Sequence, residues 1–274
     1  MTTPRSQHLI TIAFATAAIA VAPAPVHTQV DSSIQSRVDE IFSQWDSEMS
    51  PGCSVGVTQN GETLFERAYG MADLEWDIPN TPETIFEGGS VSKQFAAAAV
   101  VLLVLDGVLS LEDDVRRWVP EIPDYGNKIT LHHLMTHTSG LRDYLSLMES
   151  AGKQTSDVHR RQDLLQLVFL QKELHFAPGT EYRYCNSGYL LLAEIVERVS
   201  KMSLAQYAQK HIFTPAKMET AQTDNLYRII PNRAQGYRWV KGKIQNSALA
   251  DTSNKIPGGG LCSTVSDLAR LAIA

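Results

Sequence analysis

The chain has 274 residues, of which 43% are hydrophobic and 20% charged, an ordinary globular composition able to bury a substantial core in one large domain or two intimate ones. Its formal net charge is -6, and its Lys and Arg residues are scattered rather than gathered into a run. That distribution lacks the electrostatic footprint of a nucleic-acid binder, so no nucleic-acid partner is expected.

Arg5 precedes an uncharged stretch, Leu9 to Ala22, which gives way to the small-residue, helix-breaking region Ala22, Pro23, Ala24, Pro25, Val26. This is the layout of a secretory signal. The apolar part has 14 residues, against the roughly 20 that span a bilayer comfortably. Residues 1–28 are therefore expected to be a cleaved signal peptide, with the protein secreted or periplasmic; retention as an N-terminal membrane anchor is the alternative. No other stretch could span a membrane. Residues 29–274 show no internal repeat or low-complexity linker and read as one continuous unit.

Val30 to Met49 reads as an amphipathic helix, with Ile34, Val38, Ile41, Phe42 and Trp45 at helical spacing. After Pro51 the period changes to two. Cys53, Val55 and Val57 alternate with Ser54, Gly56 and Thr58, and Asn60-Gly61 supplies the positive-φ pair of a tight turn before Glu62 to Tyr69, predicting a β-hairpin over 53–69. From about 90 to 215 helices dominate. Phe95 to Leu105 is apolar almost all round, predicting a central buried helix, with Gly107 where a C-terminal cap belongs. Ser110 and Asp113 suggest a capping box for a short helix ending before Pro120. Thr130 is placed to cap Leu131 to Thr136, stopped by Gly140. Helices are also expected over Asp163 to Gln171 and Gly188 to Val199, the latter with Asn186 and Ser187 as caps. A hairpin followed by a long helical run points to an α+β architecture.

Ser90, Val91, Ser92, Lys93 follows Gly88 and Gly89 and opens the apolar helix, so Ser90 and Lys93 share one helical face. A serine hydroxyl is a poor nucleophile until a base takes its proton, and a lysine serves as that base only where burial or positive charge lowers its pKa. The apolar run beyond Lys93 is consistent with burial, and a helix start offers N–H groups to a developing oxyanion. Alone, this Ser and Lys spacing occurs by chance in many exposed helices. A second element lies where Pro178 and Gly179 turn the chain into Tyr184, Cys185, Asn186 ahead of an apolar helix. A phenol at Tyr184 could relay protons and Asn186 could meet a substrate amide; the plainer alternative makes Tyr184 a packing residue and Asn186 an N-cap.

Taken together, Ser90 to Lys93, Tyr184 to Asn186, His133 to Leu141 (H-L-M-T-H-T-S-G-L), Phe176 to Thr180 (F-A-P-G-T) and Gly258 to Leu268 (G-G-G-L-C-S-T-V-S-D-L) resemble the serine β-lactamase-like hydrolases, a family of class C β-lactamases, D-alanyl-D-alanine carboxypeptidases, D-aminopeptidases and β-lactamase-like esterases. The resemblance implies a β-lactamase/transpeptidase-like α+β fold, with an antiparallel sheet flanked by helices and a mostly helical subdomain. It implies acylation of Ser90, proton management by Lys93 and Tyr184, substrate orientation by Asn186, and release of the acyl group by water. It implies no cofactor and a small-molecule or peptide substrate carrying an ester, lactam or D-amino-acid peptide bond. The family also carries a Lys or His, then any residue or Thr, then Gly, on a later strand. No convincing match precedes Ala274, so the chain is expected to be incomplete, with C-terminal sheet strands missing and a hairpin edge left unpaired. A non-catalytic or slowly acylating binder, or an inactive fragment, is the competing expectation.

Other groupings carry less. His133 and His137 have the spacing of two zinc ligands, but the glutamate of a zinc-hydrolase helix is absent and no third ligand is evident, so no metal is expected. Cys53, Cys185 and Cys262 fit neither a disulfide scaffold nor a metal pattern; a Cys53 to Cys262 bridge is conceivable, and three idle thiols are the safer reading. Cys185 reads as a small filler. Glu66, Asp73, Glu75 and Asp77 read as a solvated hairpin exit, and Trp45, Trp76, Trp118 and Trp239 as core or rim residues.

Overall fold

The computed structural model describes residues 32–154, 157–224, 227–247 and 260–273. The expected signal, residues 1–28, lies outside them, as do Gly258 and Gly259 of the glycine-rich motif. No helix among the described residues is long and apolar enough to cross a membrane.

Helix α1, Ser32–Phe42, is shorter than its apolar spacing predicts and passes into a single 3-10 turn, Ser43–Trp45. Only part of the stripe finds a partner. The Phe42 ring stacks on Tyr69 at 5.2 Å and lies 5.7 Å from that of the partly exposed Trp45, whereas Ile41 faces solvent. The hairpin is as predicted: β1, Cys53–Gln59, pairs antiparallel with β2, Glu62–Tyr69, through Asn60 (φ 53°) and Gly61 (φ 81°), with a bulge between Val57 and Thr58. Strands β3, Met71–Asp73, and β4, Ile78–Pro79, form a second small ladder, and β5, Phe86–Glu87, leads to the helical region.

Helix α2, Lys93–Leu105, buries Phe95, Ala96, Ala99, Val100 and Leu103 but exposes Val101 and Leu105, so it is not buried all round as its composition predicts. Gly107 (φ 70°) ends it in a Schellman arrangement, with Val108 N–H donating to Leu103 O at 2.9 Å and Gly107 N–H to Val104 O at 3.0 Å. Helix α3, Val115–Trp118, is capped by Asp114; Ser110 and Asp113 instead close the preceding turn. Helix α4, Leu131–Met135, has the cap predicted at Thr130, in a capping box whose reciprocal acceptor is His133. Then come α5, Tyr144–Ser150; α6, Arg161–Phe169; α7, Asn186–Ser200; and α8, Leu204–Ala208. Strands β6, Gln222–Thr223; β7, Tyr237–Val240; β8, Lys243–Asn246; and β9, Leu261–Ser263, precede α9, Val265–Ile273.

The strand ladders are antiparallel but form separate small sheets among the described residues: β1-β2, β3-β4, β5-β9-β6 and β7-β8. Helix α9 packs on β1 and β2. The main core joins α2, α4, α5, α6, α7 and α8, with Leu190, Leu191, Leu192 and Ile195 of α7 fully buried at its centre. Each such side chain contributes about 1.5–3 kcal/mol on leaving water. This burial sets α7 against α2, and the segments just before the two helices meet where Tyr184 reaches Ser90. All three cysteines are free thiols, so the conceivable Cys53 to Cys262 bridge is not formed; burial pushes the Cys262 thiol up to about 12.

Candidate active site

Ser90 is exposed on a 3-10 turn, Gly89–Ser92, directly before α2. With three residues per turn, side chains three apart eclipse each other, which sets Lys93 over Ser90 more closely than an α-helix would. Lys93 Nζ donates to Ser90 Oγ at 3.2 Å, and Lys93 is only 6% exposed. The turn is pinned from behind: Ser92 Oγ donates to Gly89 O and accepts from Leu261 N–H at 3.0 Å, while Gly88 N–H donates to Leu261 O at 2.7 Å. The glycine-rich motif thus ends in β9, which holds the serine turn in place.

Tyr184 reaches the same oxygen from the loop before α7. Its hydroxyl donates to Ser90 Oγ at 2.8 Å, and Lys93 Nζ lies 5.1 Å above its ring and 5.6 Å above that of Tyr189. Ser90, Lys93 and Tyr184 are therefore brought together. Asn186 follows as the first residue of α7 rather than its cap. Its backbone N–H and its Nδ2 both donate to Asp143 Oδ2, the latter at 2.8 Å. Because a carboxylate can only accept, the amide nitrogen must face Asp143, committing one amide hydrogen and leaving Oδ1 as the opposite pole.

The stretch from Thr136 to Tyr144 forms a cradle for this loop. His137 (φ 59°) accepts Arg183 N–H at its carbonyl, 2.9 Å, and Cys185 N–H at its Nδ1, 3.2 Å. Its ring lies 4.4 Å from that of Tyr184. Leu141 O accepts the Cys185 thiol, Arg142 O accepts Ser187 Oγ–H, and Ser187 Oγ accepts Tyr144 N–H. Gly140 (φ 74°) can carry no side chain, since a Cβ there would stand 2.1 Å from Phe176 O. Asp143 also caps α5 through Leu145 N–H at 2.8 Å. Burial first, and Lys93 in part, hold the His137 imidazole below its usual range.

The remaining groupings have structural partners. His133 Nδ1 accepts Thr130 N–H in the α4 capping box, and among the described residues no cluster of His, Cys, Asp or Glu could hold a metal. Glu66 accepts from Ser266 Oγ, and Asp73 accepts two N–H groups in the β3-β4 turn. Trp76 and Trp239 are exposed, while Trp118 packs at the core's edge. Sequence reasoning missed Asp143 and the role of His137. The signal for Asp143 was present, an aspartate directly before the apolar pattern Tyr144, Leu145, Leu147, Met148, which is an N-cap signature.

A cavity of about 490 Å³ opens beside Tyr184 and Asn186, its wall including Arg142, Arg183, His175 and Ser146. Arg142 pairs with Glu173 at 2.6 Å. Burial first, then Arg183 and Arg142, lower the His175 pKa, while Glu173 acts in the opposite sense; the Asp143 carboxylate also lines the cavity.

The Beta-lactamase family model matches residues 37–274. The chain is 34% identical over 187 residues to penicillin-binding protein 4* of Bacillus subtilis, covering 68% of this chain and 41% of that protein. It is 34% identical to a D-aminopeptidase of Cereibacter sphaeroides, covering 68% of this chain and 36% of the enzyme. The octameric penicillin-binding protein homologue of Pyrococcus abyssi superposes with a TM-score of 0.74 at 29% identity, covering 88% of this chain and 55% of that one. The chain thus spans well under two thirds of the length of these relatives.

Proposed function

Since the chain belongs to the beta-lactamase family, we propose that it is a serine hydrolase that opens ester or amide bonds, lactams and D-amino-acid peptides included, through an acyl-enzyme on Ser90. The observation that carries this reading is the convergence of Lys93 Nζ, at 3.2 Å, and Tyr184 OH, at 2.8 Å, on one serine oxygen. A nucleophile within hydrogen-bond reach of its base, with the base set by a third group, is the arrangement that covalent catalysis requires. Ser90 Oγ attacks the substrate carbonyl carbon while its proton passes to the Lys93 and Tyr184 pair. The tetrahedral intermediate collapses, breaking the bond to the leaving group, which takes a proton from Tyr184. Water then attacks the ester on Ser90 and gives its proton to the same pair; the bond between the acyl carbon and Ser90 Oγ breaks, releasing the acid, and the pair returns the proton to Oγ, restoring the serine. Asn186 orients the substrate.

The test is labelling by a fluorophosphonate with the adduct mapped by mass spectrometry, alongside turnover of an activated ester and a chromogenic cephalosporin. Labelling at Ser90 with turnover is expected. A stable adduct without turnover would favour a binder over an enzyme, and no adduct at Ser90 would sink the acyl-enzyme altogether.

The guanidinium of Arg183 on the cavity wall beside Tyr184 and Asn186 supports acyl groups that carry a carboxylate. Replacing Arg183 by Gln is expected to lower the kcat/KM ratio of a glutaryl over a butyryl ester of the same phenol by about fivefold, since one partly solvated charge pair contributes about 1 kcal/mol. An unchanged ratio would remove Arg183 from substrate selection. We also propose export, supported by the apolar stretch Leu9 to Ala22 after Arg5.

A further inference from the structure

We infer that His137 is the positioning residue of the proton relay: as a neutral imidazole it clamps the chain on both sides of Tyr184 and holds the phenol against Ser90. The inference rests on the reading of Ser90 and Tyr184 as catalytic.

Tyr184 is 44% exposed and sits on an irregular loop, so neither core packing nor a regular element fixes its ring. Its flanking residues are fixed by one side chain and its backbone. Arg183 N–H donates to His137 O at 2.9 Å, and Cys185 N–H donates to His137 Nδ1 at 3.2 Å. Between these bonds the imidazole lies 4.4 Å from the Tyr184 ring, tilted by 34°, and 5.2 Å from the Tyr189 ring. Tyr189 is held in turn by its hydroxyl on Met135 O at 2.9 Å. The Tyr182 ring closes the far side edge-on at 6.0 Å. His137 adopts φ 59°, which disfavours a side chain with a Cβ. A histidine kept in that conformation serves these contacts.

The clamp has a required protonation state. Nδ1 accepts a backbone N–H only when it bears no hydrogen, so the ring must be the neutral Nε2–H tautomer. The charged and titratable groups facing it are Lys93 from α2, Asp143 from the same cradle, and Tyr182, Tyr184, Cys185 and Tyr189 from the loop and α7. Burial and Lys93 disfavour the imidazolium, while Asp143 acts in the opposite sense; in the geometry, the Nδ1 lone pair that a second proton would need is the one that accepts the Cys185 N–H. The sign follows. The folded state binds the proton less well than the unfolded chain, so the clamp is complete above the ordinary imidazole pKa. It is lost as pH falls through the depressed native value. Protonation would convert the acceptor into a donor facing Cys185 N–H and release the tyrosine loop.

The experiment measures the rate of Ser90 labelling by a fluorophosphonate and the kcat of an activated ester against pH in the natural protein, His137→Asn and His137→Phe. Asparagine tolerates positive φ and keeps an acceptor near the place of Nδ1 but does not titrate; phenylalanine keeps the ring and loses the acceptor. Expected are a kcat loss of roughly 10- to 100-fold for His137→Phe with a much smaller change in KM, partial rescue in His137→Asn, and disappearance from His137→Asn of an acid limb seen in the natural protein. Nitrogen-15 NMR of the natural protein should show His137 as the Nε2–H tautomer, titrating below ordinary histidines, and this readout holds if a variant fails to fold. An Nδ1–H tautomer, ordinary titration, or an acid limb unchanged in His137→Asn would overturn the inference while Ser90 is still labelled. Absence of Ser90 labelling in the natural protein would remove the hydrolase reading and this one with it.

Discussion

Lys93→Met is expected to lower the kcat/KM of an activated ester by about a thousandfold or more while leaving the melting temperature unchanged or raised. The two effects have separate causes. Removing the amine takes away one of the two groups that converge on Ser90 Oγ and share its proton in the proposed mechanism, and a positioned general base contributes typically ~10²–10⁴-fold. Methionine keeps the length and apolar stem of lysine in a site that is only 6% exposed. Exchanging a buried amine for an apolar side chain of like volume removes the cost of desolvating a polar group, so stability is expected to hold or rise. A thermal melt and steady-state kinetics on the same preparation check both halves. Retained activity within about tenfold would remove Lys93 from the chemistry, whereas a large fall in melting temperature would mean that the lysine is structural.

Asp143→Ala is expected to have the largest effect on stability. Its carboxylate accepts the Leu145 N–H at the start of α5 and both the backbone and side-chain N–H groups of Asn186 at the start of α7. Loss of one cap costs typically ~1 kcal/mol, and an orphaned buried donor about 1–3 kcal/mol. Together these predict about 2–4 kcal/mol, or a fall of roughly 5–15 °C in melting temperature for a chain of this size. Activity should fall as well, since Asn186 follows Tyr184 by two residues and loses its anchor. Asp143→Asn retains an acceptor oxygen but cannot serve every donor and should lie between the two. A melting temperature within a degree of the natural protein would show that water replaces the carboxylate without cost.

Local chemistry was legible wherever it is set by neighbours along the chain. The alternation from Cys53 to Thr58 and the Asn60-Gly61 turn specify the hairpin because side-chain direction has a period of two and the turn needs positive φ. Gly107 and Thr130 were recognisable as caps for the same reason. Ser110 and Asp113 were misleading: they reproduce a capping pattern, yet the helix waits for Asp114. The apolar run of α2 indicated burial without indicating which side, since composition alone has no direction.

By itself the sequence placed Ser90 and Lys93 on one helical face, where hydroxyl and amine can meet, as they do at 3.2 Å. It also determined, through ordered motifs, which family chemistry they belong to. Only the tertiary structure decided what completes the pair. Tyr184 comes from 94 residues away, and its loop is held by His137 and Asp143 from a third segment. Contacts of that kind depend on how α7 seats against α2 in the core, a consequence of the packing of many side chains at once. No local pattern records it, which is why a histidine pair read as failed zinc ligands proves to hold a helix cap at one position and the tyrosine loop at the other.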